Sequence, residues 1–344
     1  MEKIEKLIKE IEILAGKVTN NKLAVNFKLY FLLLLILNIE KVLLNREENS
    51  IKKTLKILES TKSNFLLLDN IKSFGVKINY IEKFSKEEIH KKLFQLLWTN
   101  FSFDEFKKER LSRYLKRIKI NKLIPLLKDK KIIDFGCGHG NFLMSCYLSG
   151  SKFGLGIDYG QDSIKYANMI KKKMKIPQKN LKFKVATVYD TKEKKDSYDV
   201  AIQNGVFHHL KAEKKAYKEV YRVLKPGGYF WVYTVGGGGI KDKVSKRCFR
   251  ILKNLNKKML FDIIKSAGLS TNKEYYIGDS LNAEYNFRSK ESLINDLKKI
   301  GFINFKQLNG GMKTDFDKPF LKDKYFSEKY GAGDLRFLCQ KKVK

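Results

Sequence analysis

The sequence has few cysteines and no long apolar run, and both absences limit the kinds of protein it can encode. Its four cysteines are scattered through 344 residues without paired spacing. Such a pattern predicts neither a metal site nor a disulfide framework, and it suits a reducing cytosol. The longest apolar run, residues 29–37, is far short of the about 18–20 residues that a membrane-spanning helix needs. We therefore expect a cytoplasmic protein without a transmembrane segment, in which this run is a buried helix; a membrane-associated hairpin is the alternative.

Arginine is also scarce, although the chain is strongly basic. The net charge is +34, and of 71 basic residues only nine are Arg and 62 are Lys. A basic surface attracts phosphate at long range, so nucleic acid is a possible partner. Arg, however, is the side chain that forms bidentate hydrogen bonds with phosphate and guanine. The Lys residues are also spread along the whole chain, and a high Lys content is typical of an AT-rich genome. Nucleic acid is therefore not the favoured partner.

The first third of the chain has the pattern of helices. Apolar side chains recur at helical spacing, as in Ile4, Leu7 and Ile11. Ser85 and Ser102 are each followed by Glu three residues later, the form of a capping box, and predict helices over about 86–97 and 103–119. We predict an N-terminal helical domain over residues 1–118, which covers the substrate, forms a homodimer, or does both.

From residue 131 the pattern changes to short apolar strands separated by amphipathic helices. Strands that alternate with helices predict right-handed βαβ units and a parallel sheet covered on both faces. We therefore predict an α/β domain over residues 119–344, with a helical insertion at about 236–285. The predicted strands are 131–135, 153–157, 181–185, 198–203 and 228–233, followed by strands near 303–308 and 334–340.

A glycine-rich turn directly after the first predicted strand is the strongest local signal. The apolar segment ends at Asp134 and runs into Gly136, Gly138 and Gly140, after which a helix is predicted. Glycine is needed where the backbone turns with positive φ and approaches a ligand without a Cβ in the way. A dinucleotide fingerprint, G-x-G-x-x-G, would place its third glycine one position later, which counts against a pyrophosphate ligand.

This segment resembles the first motif, D-x-G-x-G-x-G, of class I S-adenosylmethionine-dependent methyltransferases. Four further segments resemble that family in the same order, namely 153–159, 183–188, 198–210 and 219–228. The resemblance covers about residues 110–235, with weaker agreement at 284–342. It implies a Rossmann-like, seven-stranded, mostly parallel sheet with helices on both faces. It also implies S-adenosyl-L-methionine as cofactor, S-adenosyl-L-homocysteine as product, and methyl transfer by in-line displacement.

The resemblance further implies a cofactor site. Asp158 would hold both ribose hydroxyls, because a carboxylate accepts from two neighbouring O–H donors at once. Val188 would flank the adenine, and Thr187 stands where the family often has Asp. The turn after the fourth strand would lie beside the sulfonium. The implied cofactor-binding residues are Asp134, Gly136, Cys137, Gly138, Gly140, Asp158, Tyr159, Thr187, Val188, Asn204 and Gly205.

Residues for the acceptor are harder to recognise. His208 and His209 are candidate general bases, with packing of the loop as the alternative. Three of the nine arginines fall within residues 110–117, and a planar guanidinium suits a carboxylate. Residues 86–119 are therefore predicted to cover the active site, with a solvated helix face as the alternative. The candidate acceptor residues are Tyr114, Arg113 and Arg117, with Trp98, Tyr275, Tyr276 and Tyr285 as further aromatic candidates.

Three functions remain open at this point. The His-His-Leu form after the fourth strand favours a small molecule or sugar intermediate as acceptor, methylated at O, N or C. An RNA methyltransferase is favoured by charge, but the segment 203–206 lacks the Asn/Asp-Pro-Pro-aromatic signature of exocyclic-amine enzymes. The third function is a non-catalytic, cofactor-binding partner subunit. The intact glycines and both acids argue against it.

Overall fold

The computed structural model describes residues 2–18, 22–44, 49–70, 102–252, 277 and 285–343. The predicted helix 86–97 and three aromatic candidates lie outside these residues: Trp98, Tyr275 and Tyr276. The chain forms two compact units. The first comprises residues 1–89, 238–283 and 322–331, and the second comprises 90–237, 284–321 and 332–344. The predicted domain boundary near residue 118 stays a prediction.

Twelve α-helical segments are named here in chain order for the described part of the chain. They are α1 (Glu2–Lys17), α2 (Lys22–Leu44), α3 (Ser50–Asn70), α4 (Phe103–Glu105), α5 (Ser112–Ile120), α6 (Ile124–Leu127), α7 (Asn141–Leu148), α8 (Gln161–Lys173), α9 (Glu213–Val223), α10 (Ile240–Leu252), α11 (Lys290–Ile300) and α12 (Phe326–Tyr330).

The first unit contains α1, α2, α3, α10 and α12. The apolar run 29–37 lies in α2, where Leu29, Leu32 and Leu35 are buried, so the predicted buried helix is confirmed. Glu5 on α1 pairs with Lys243 and Arg247 on α10, which ties helices that are distant in sequence. No helix in the described ranges has both the length and the apolarity to cross a membrane.

The second unit is built on a seven-stranded sheet. Its strand order is β3-β2-β1-β4-β5-β7-β6, with β1 to β5 parallel and β7 antiparallel to both of its neighbours. The predicted seven-stranded, mostly parallel, Rossmann-like sheet and the N-terminal helices are confirmed. The strands are β1 (Lys131–Phe135), β2 (Phe153–Asp158), β3 (Leu181–Val185), β4 (Tyr198–Asn204), β5 (Leu224–Val235), β6 (Phe302–Gln307) and β7 (Asp334–Lys341).

Both faces of this sheet are covered by apolar side chains. Successive residues of a strand point to opposite faces, and Phe230 and Trp231 of β5 accordingly lie in two different buried clusters. The Phe230 cluster includes Tyr217 from α9, and the Trp231 cluster includes Phe142 from α7. Burial on both faces explains why the strands have nearly continuous apolar sequences.

The helix predicted over 103–119 has an irregular first half. Its capping box is present: Ser102 Oγ accepts from the Glu105 backbone N–H at 3.3 Å, and the Glu105 carboxylate accepts from the Ser102 N–H at 2.8 Å. A π-helical segment, Phe106–Leu111, then separates α4 from α5. Within it Phe106 and Arg110 are buried. The capping box was predictable, but the wider turn was not.

Candidate active site

The candidate site lies where the parallel strands end. The carboxyl ends of β1, β2, β4 and β5 meet at one edge of the sheet because these strands are parallel. The turns that follow them contain most of the predicted site residues. This edge therefore brings together segments that the sequence spreads over more than a hundred residues.

The turn after β1 requires glycine at the predicted positions. Gly136, Gly138 and Gly140 have φ of 72°, 51° and 75°. A Cβ on Gly136 would lie 2.6 Å from Val206 Cγ2, and a Cβ on Gly140 would lie 2.3 Å from Phe183 Cζ. The backbone is thus both left-handed and crowded, which no other residue tolerates. The Gly136 N–H donates to Ile157 O at 2.8 Å and holds the turn against β2.

Two carboxylates flank this turn without a basic partner. Asp158, at the end of β2, accepts from the backbone N–H groups of Gly138 (2.9 Å) and Gly160 (2.8 Å). Asp134 is 3% exposed, and its burial together with the charge of Asp158 raises its pKa to about 8. Across the described ranges, neither carboxylate forms an ion pair with Lys or Arg. Burial without a basic partner raises the pKa of both carboxyl groups, so a cation bound at this edge would favour their ionised forms.

The other predicted cofactor residues are arranged around the same edge. Cys137 is buried in the glycine turn, and burial raises the pKa of its thiol well above the usual range. Tyr159 is 72% exposed after β2, and Val188 is buried after β3. The Thr187 hydroxyl accepts from the Tyr189 N–H at 3.3 Å. Tyr159 presents its side chain to solvent, whereas Val188 offers an apolar contact.

A chain of hydrogen bonds fixes the end of β4. The Trp231 indole N–H donates to Asn204 Oδ1 at 3.2 Å, and Asn204 Nδ2 donates to the Tyr114 oxygen at 3.0 Å. The Tyr114 ring stacks on Phe142 with centroids 4.6 Å apart, and Phe142 meets Trp231 edge to face. Tyr114 and Asn204, both predicted from sequence, are therefore in direct contact. Trp231 and Phe142 were not predicted.

The two histidines after β4, His208 and His209, differ in how deeply they are buried. His208 is 3% exposed, and its Nδ1 lies 3.3 Å from Thr234 Oγ1. Burial, followed by the charge of His209, holds the pKa of His208 well below its usual range, so the ring is neutral at pH 7. Tyr285 stacks on His208 with centroids 5.4 Å apart, and the Asn286 N–H donates to His208 O at 2.8 Å. His209 is half-buried and also contacts Tyr285.

The two predicted arginines lie in different surroundings. Arg117 is buried, and its guanidinium pairs with Asp315 at 2.7 Å while lying 5.1 Å from the centroid of the Tyr114 ring. Asp315 also lies 3.5 Å from buried Arg336. Burial alone would raise the pKa of Asp315, but the two arginines hold it below the usual range. Arg113 is half-buried, and within the described ranges it forms no ion pair.

Arg336 joins this pair to the end of β5. It forms ion pairs with Asp317 and Asp334, and it lies 4.3 Å from the centroid of the Tyr233 ring. Burial raises the pKa of Asp317 to about 6 despite Arg336. This buried charge network therefore connects α5 with the carboxyl ends of β5 and the start of β7. No short motif in the sequence marks it.

Comparison with known proteins gives the family. A family model described as a methyltransferase domain matches residues 126–280, which contain the glycine turn, both carboxylates and the histidine pair. This is a class I S-adenosylmethionine-dependent methyltransferase domain. The resemblance inferred from the five motifs is confirmed, and the cofactor of the domain is S-adenosylmethionine.

The methyltransferase domain is similar to proteins with several different acceptors. The tRNA (carboxymethyluridine(34)-5-O)-methyltransferase of Arabidopsis thaliana is 35% identical over 101 residues, 28% of this chain and 22% of that protein. The mitochondrial ubiquinone biosynthesis O-methyltransferase of Rattus norvegicus is 29% identical over 110 residues, 32% of each chain. The chain therefore spans about a fifth to a third of the length of these relatives.

A solved structure is similar over a larger part of the methyltransferase chain. The S-adenosylmethionine-dependent methyltransferase from Mesorhizobium loti has 16% identity and a TM-score of 0.43, covering 66% of this chain and 98% of that chain.

The residues at the strand ends fit the methyltransferase cofactor chemically. S-adenosylmethionine carries a sulfonium cation, and a cation beside the unpaired Asp134 and Asp158 would favour the ionised form of both carboxyl groups, whose pKa values burial raises. The glycines fit this role through their conformation, since Gly136, Gly138 and Gly140 all have the positive φ that a tight turn beneath a ligand requires.

Proposed function

We propose that this methyltransferase transfers the methyl group of S-adenosylmethionine by in-line displacement to an O, N or C atom of a small molecule or sugar intermediate. The observation that carries the proposal is the meeting of two groups of residues at one edge of the sheet. The carboxylates and glycine turn suited to the cofactor adjoin the group formed by Tyr114, Asn204 and His208. When bound, the cofactor supplies an electrophilic methyl on a sulfonium.

We assign the cofactor side of the site as follows. Asp158 would accept from the ribose hydroxyls, and its bonds from the Gly138 and Gly160 N–H groups hold the carboxylate in place for this. Asp134 contributes negative charge near the cation. The turn formed by Gly136, Cys137, Gly138 and Gly140 would hold the cofactor, with Tyr159, Thr187 and Val188 as contacts for its nucleoside and Asn204 and Gly205 as contacts near its sulfonium.

Tyr114 is assigned to the acceptor side because its hydroxyl accepts a hydrogen bond from Asn204 and can therefore donate its own proton to a ligand. Indole N–H is a donor only, so Asn204 must present its oxygen to Trp231 and its NH₂ to Tyr114. The Tyr114 oxygen then acts as an acceptor toward Asn204, and its own O–H proton remains available for a ligand. Stacking on Phe142 and the nearby Arg117 guanidinium restrain the ring in this position.

His208 and His209 are assigned as candidate proton acceptors. A neutral imidazole has one nitrogen that accepts a proton, and the lowered pKa of His208 keeps that ring neutral at pH 7. Of the two, His209 is the less buried and is therefore better placed to meet an acceptor directly. Tyr285 contacts both rings and would hold them in place.

An RNA acceptor is the second candidate function. It is supported by the net charge of +34 and by relatives described as tRNA-modifying enzymes. Against it, the turn after β4 reads Gln-Asn-Gly-Val and lacks the prolines typical of exocyclic-amine enzymes. The cover role predicted for residues 86–119, of which 102–119 are described and include Arg113, applies to either acceptor.

Transfer of labelled methyl from S-adenosylmethionine separates the two functions. The protein is incubated with a cell metabolite extract and, separately, with total RNA. The small-molecule proposal predicts label in the low-molecular-weight fraction, and label in RNA alone would contradict it. Label in neither fraction, with cofactor binding intact, would favour a non-catalytic subunit.

The Tyr114→Phe variant tests the assigned residue. It keeps the ring stacked on Phe142 but removes the hydroxyl, so transfer is expected to fall by about tenfold or more while the fold is retained. Tyr147→Phe, on α7, is the matched control. Equal transfer rates for the two variants would contradict the role of Tyr114.

A further inference from the structure

A second concave surface lies at the opposite edge of the sheet from the glycine turn. It is a cleft of about 720 Å³ at the amino ends of β1, β2, β3 and β4. These strands are neighbours in the order β3-β2-β1-β4. Because adjacent strands are about 4.8 Å apart, the cleft crosses the edge over about 14 Å. It therefore spans the starts of four neighbouring strands.

The cleft has a concentration of lysines that the composition alone does not explain. Five of its ten lining residues are lysines, whereas 62 lysines in 344 residues would give about two in an average set of ten. All five are exposed. They lie at or just before the starts of four strands, with Lys192 and Lys194 in the same loop before β4: Lys131, Lys152, Lys179, Lys192 and Lys194.

The acids near the cleft leave this positive charge largely unbalanced. Among the described residues that line it, Glu193 is the only acid, and its carboxylate accepts from the Tyr198 hydroxyl at 2.8 Å. Asp199, at the start of β4, pairs with Lys225 at 2.7 Å. Lys192 pairs with Asp190 at 2.5 Å. In the described part of the chain, the other four lysines of the cleft form no ion pair, so they are free to meet an external anion.

We propose that this cleft binds the phosphate backbone of RNA, whatever the methyl acceptor is. A single phosphate would meet only one or two of the ammonium groups, whereas a polymer with a phosphate at every residue can neutralise a row of them. Lysine acts as a point charge and does not read bases, so the contact is independent of sequence. The cleft would thus bind RNA at the amino ends of the strands, away from the candidate active site at their carboxyl ends.

Binding of single-stranded RNA tests the proposal. The full chain is titrated into a labelled oligonucleotide of about twelve nucleotides, and fluorescence anisotropy is followed at several salt concentrations. The test variant carries Lys131→Gln, Lys152→Gln, Lys179→Gln and Lys194→Gln. The matched control loses the same charge at four exposed lysines of α8, α9 and α11, with Lys172→Gln, Lys218→Gln, Lys298→Gln and Lys299→Gln.

The cleft variant is expected to raise the Kd by about tenfold or more near 0.1 M salt, and the control by less than about threefold. The slope of log K against log salt should fall by about 0.7 for each lost phosphate contact, so by about two to three units in the cleft variant. Cofactor affinity, which depends on the other edge, should stay unchanged in both variants.

Two results would overturn the proposal. Equal weakening by the cleft and control variants would mean that total charge, and not the cleft, holds RNA. Binding of poly-glutamate as tight as that of RNA would mean that the cleft recognises acidic polymers in general. If the variant with four substitutions has a lower Tm than the wild-type chain, two double variants are compared instead. Lys152→Gln with Lys179→Gln should then weaken RNA binding more than Lys298→Gln with Lys299→Gln.

Discussion

The two halves of the methyltransferase site are constructed differently. The proposed cofactor half comes from β1, the glycine turn and β2, and its shape is made by backbone with positive φ and by two carboxylates within one βαβ unit. The proposed acceptor half is assembled from side chains as far apart as Tyr114 and Tyr285. Backbone geometry is encoded by a short run of residues, whereas an assembly of distant side chains leaves no such run. The first half is therefore recognisable as a motif, whereas in the second only single candidates such as Tyr114 and Tyr285 could be named, without their contacts.

The largest expected effect is in the cofactor half. Gly140→Val should abolish cofactor binding, because the new side chain would collide with Phe183 and would need a φ that β-branched residues avoid. Isothermal titration calorimetry measures the loss. Gly16→Val is the control, since a Cβ there meets nothing within 4 Å. A Gly140→Val protein with the wild-type circular dichroism spectrum and near-native affinity would place the cofactor elsewhere.

Arg117→Ala should produce the next largest effect, on stability. Removing this guanidinium leaves Asp315 buried with one partner fewer, and breaking a buried pair costs about 3–5 kcal/mol. Urea unfolding measures the change. Arg113→Ala is the matched control and should change stability by less than about 1 kcal/mol. Equal changes in both variants would show that the charge network does not hold the acceptor half together.

Asp158→Ala should weaken cofactor binding by about 1.5–3 kcal/mol, the range for a charge-assisted hydrogen bond. The control is Asp162→Ala, an exposed acid on α8 that pairs with Lys165 at 3.4 Å. Calorimetry on both variants separates a specific contact from a general loss of charge. Unchanged cofactor affinity in a folded Asp158→Ala protein would contradict the assignment of Asp158 to the ribose hydroxyls.

A smaller effect is expected from pH through Asp134. Burial and the charge of Asp158 raise the pKa of Asp134 in the free protein from its ordinary value of 3.8 to about 8. Its contribution to stability is therefore full below about pH 4 and is lost as pH rises through 8. A bound sulfonium favours the charged carboxylate, so cofactor affinity should rise with pH up to about 8, by at most about 1.4 kcal/mol per unit.

Calorimetry at pH 6.5 and 8.5 measures this dependence. S-adenosylhomocysteine, which lacks the sulfonium charge, should show a weaker dependence than S-adenosylmethionine. Asp134→Asn should remove the difference between the two ligands. If both ligands respond to pH alike in the wild-type protein, Asp134 does not sense the cation.

Much of the fold could be predicted because its signals are local. The bounds of β1 and β3 agree with the sequence prediction, and those of β2 and β4 differ by one residue. β5 begins at Leu224, four residues earlier than predicted, because Leu224 already pairs with Tyr198 and a shift in register separates this pair from Val200 and Tyr229. The π-helical segment was not predicted because its apolar spacing is close to that of an α-helix.

The contacts of the proposed acceptor half could not be predicted for a different reason. Arg117 and Asp315 are 198 residues apart, and either residue alone has the pattern of a solvated charge. The partner of Asn204 on β5, Trp231, has the pattern of an ordinary core residue. Their roles depend on which strands become neighbours, which only the completed sheet determines.

The antiparallel pairing of β5 with β7 has a consequence for chain entropy. The two strands are neighbours although residues 236–333 separate them. The entropic cost of closing such a loop grows only with the logarithm of its length, by about 0.6 kcal/mol for each doubling. Extra segments can therefore be accommodated between these strands at little expense in stability. The cost falls on kinetics instead, since contacts between distant residues slow folding, and docking of β7 on β5 is expected to be a late step.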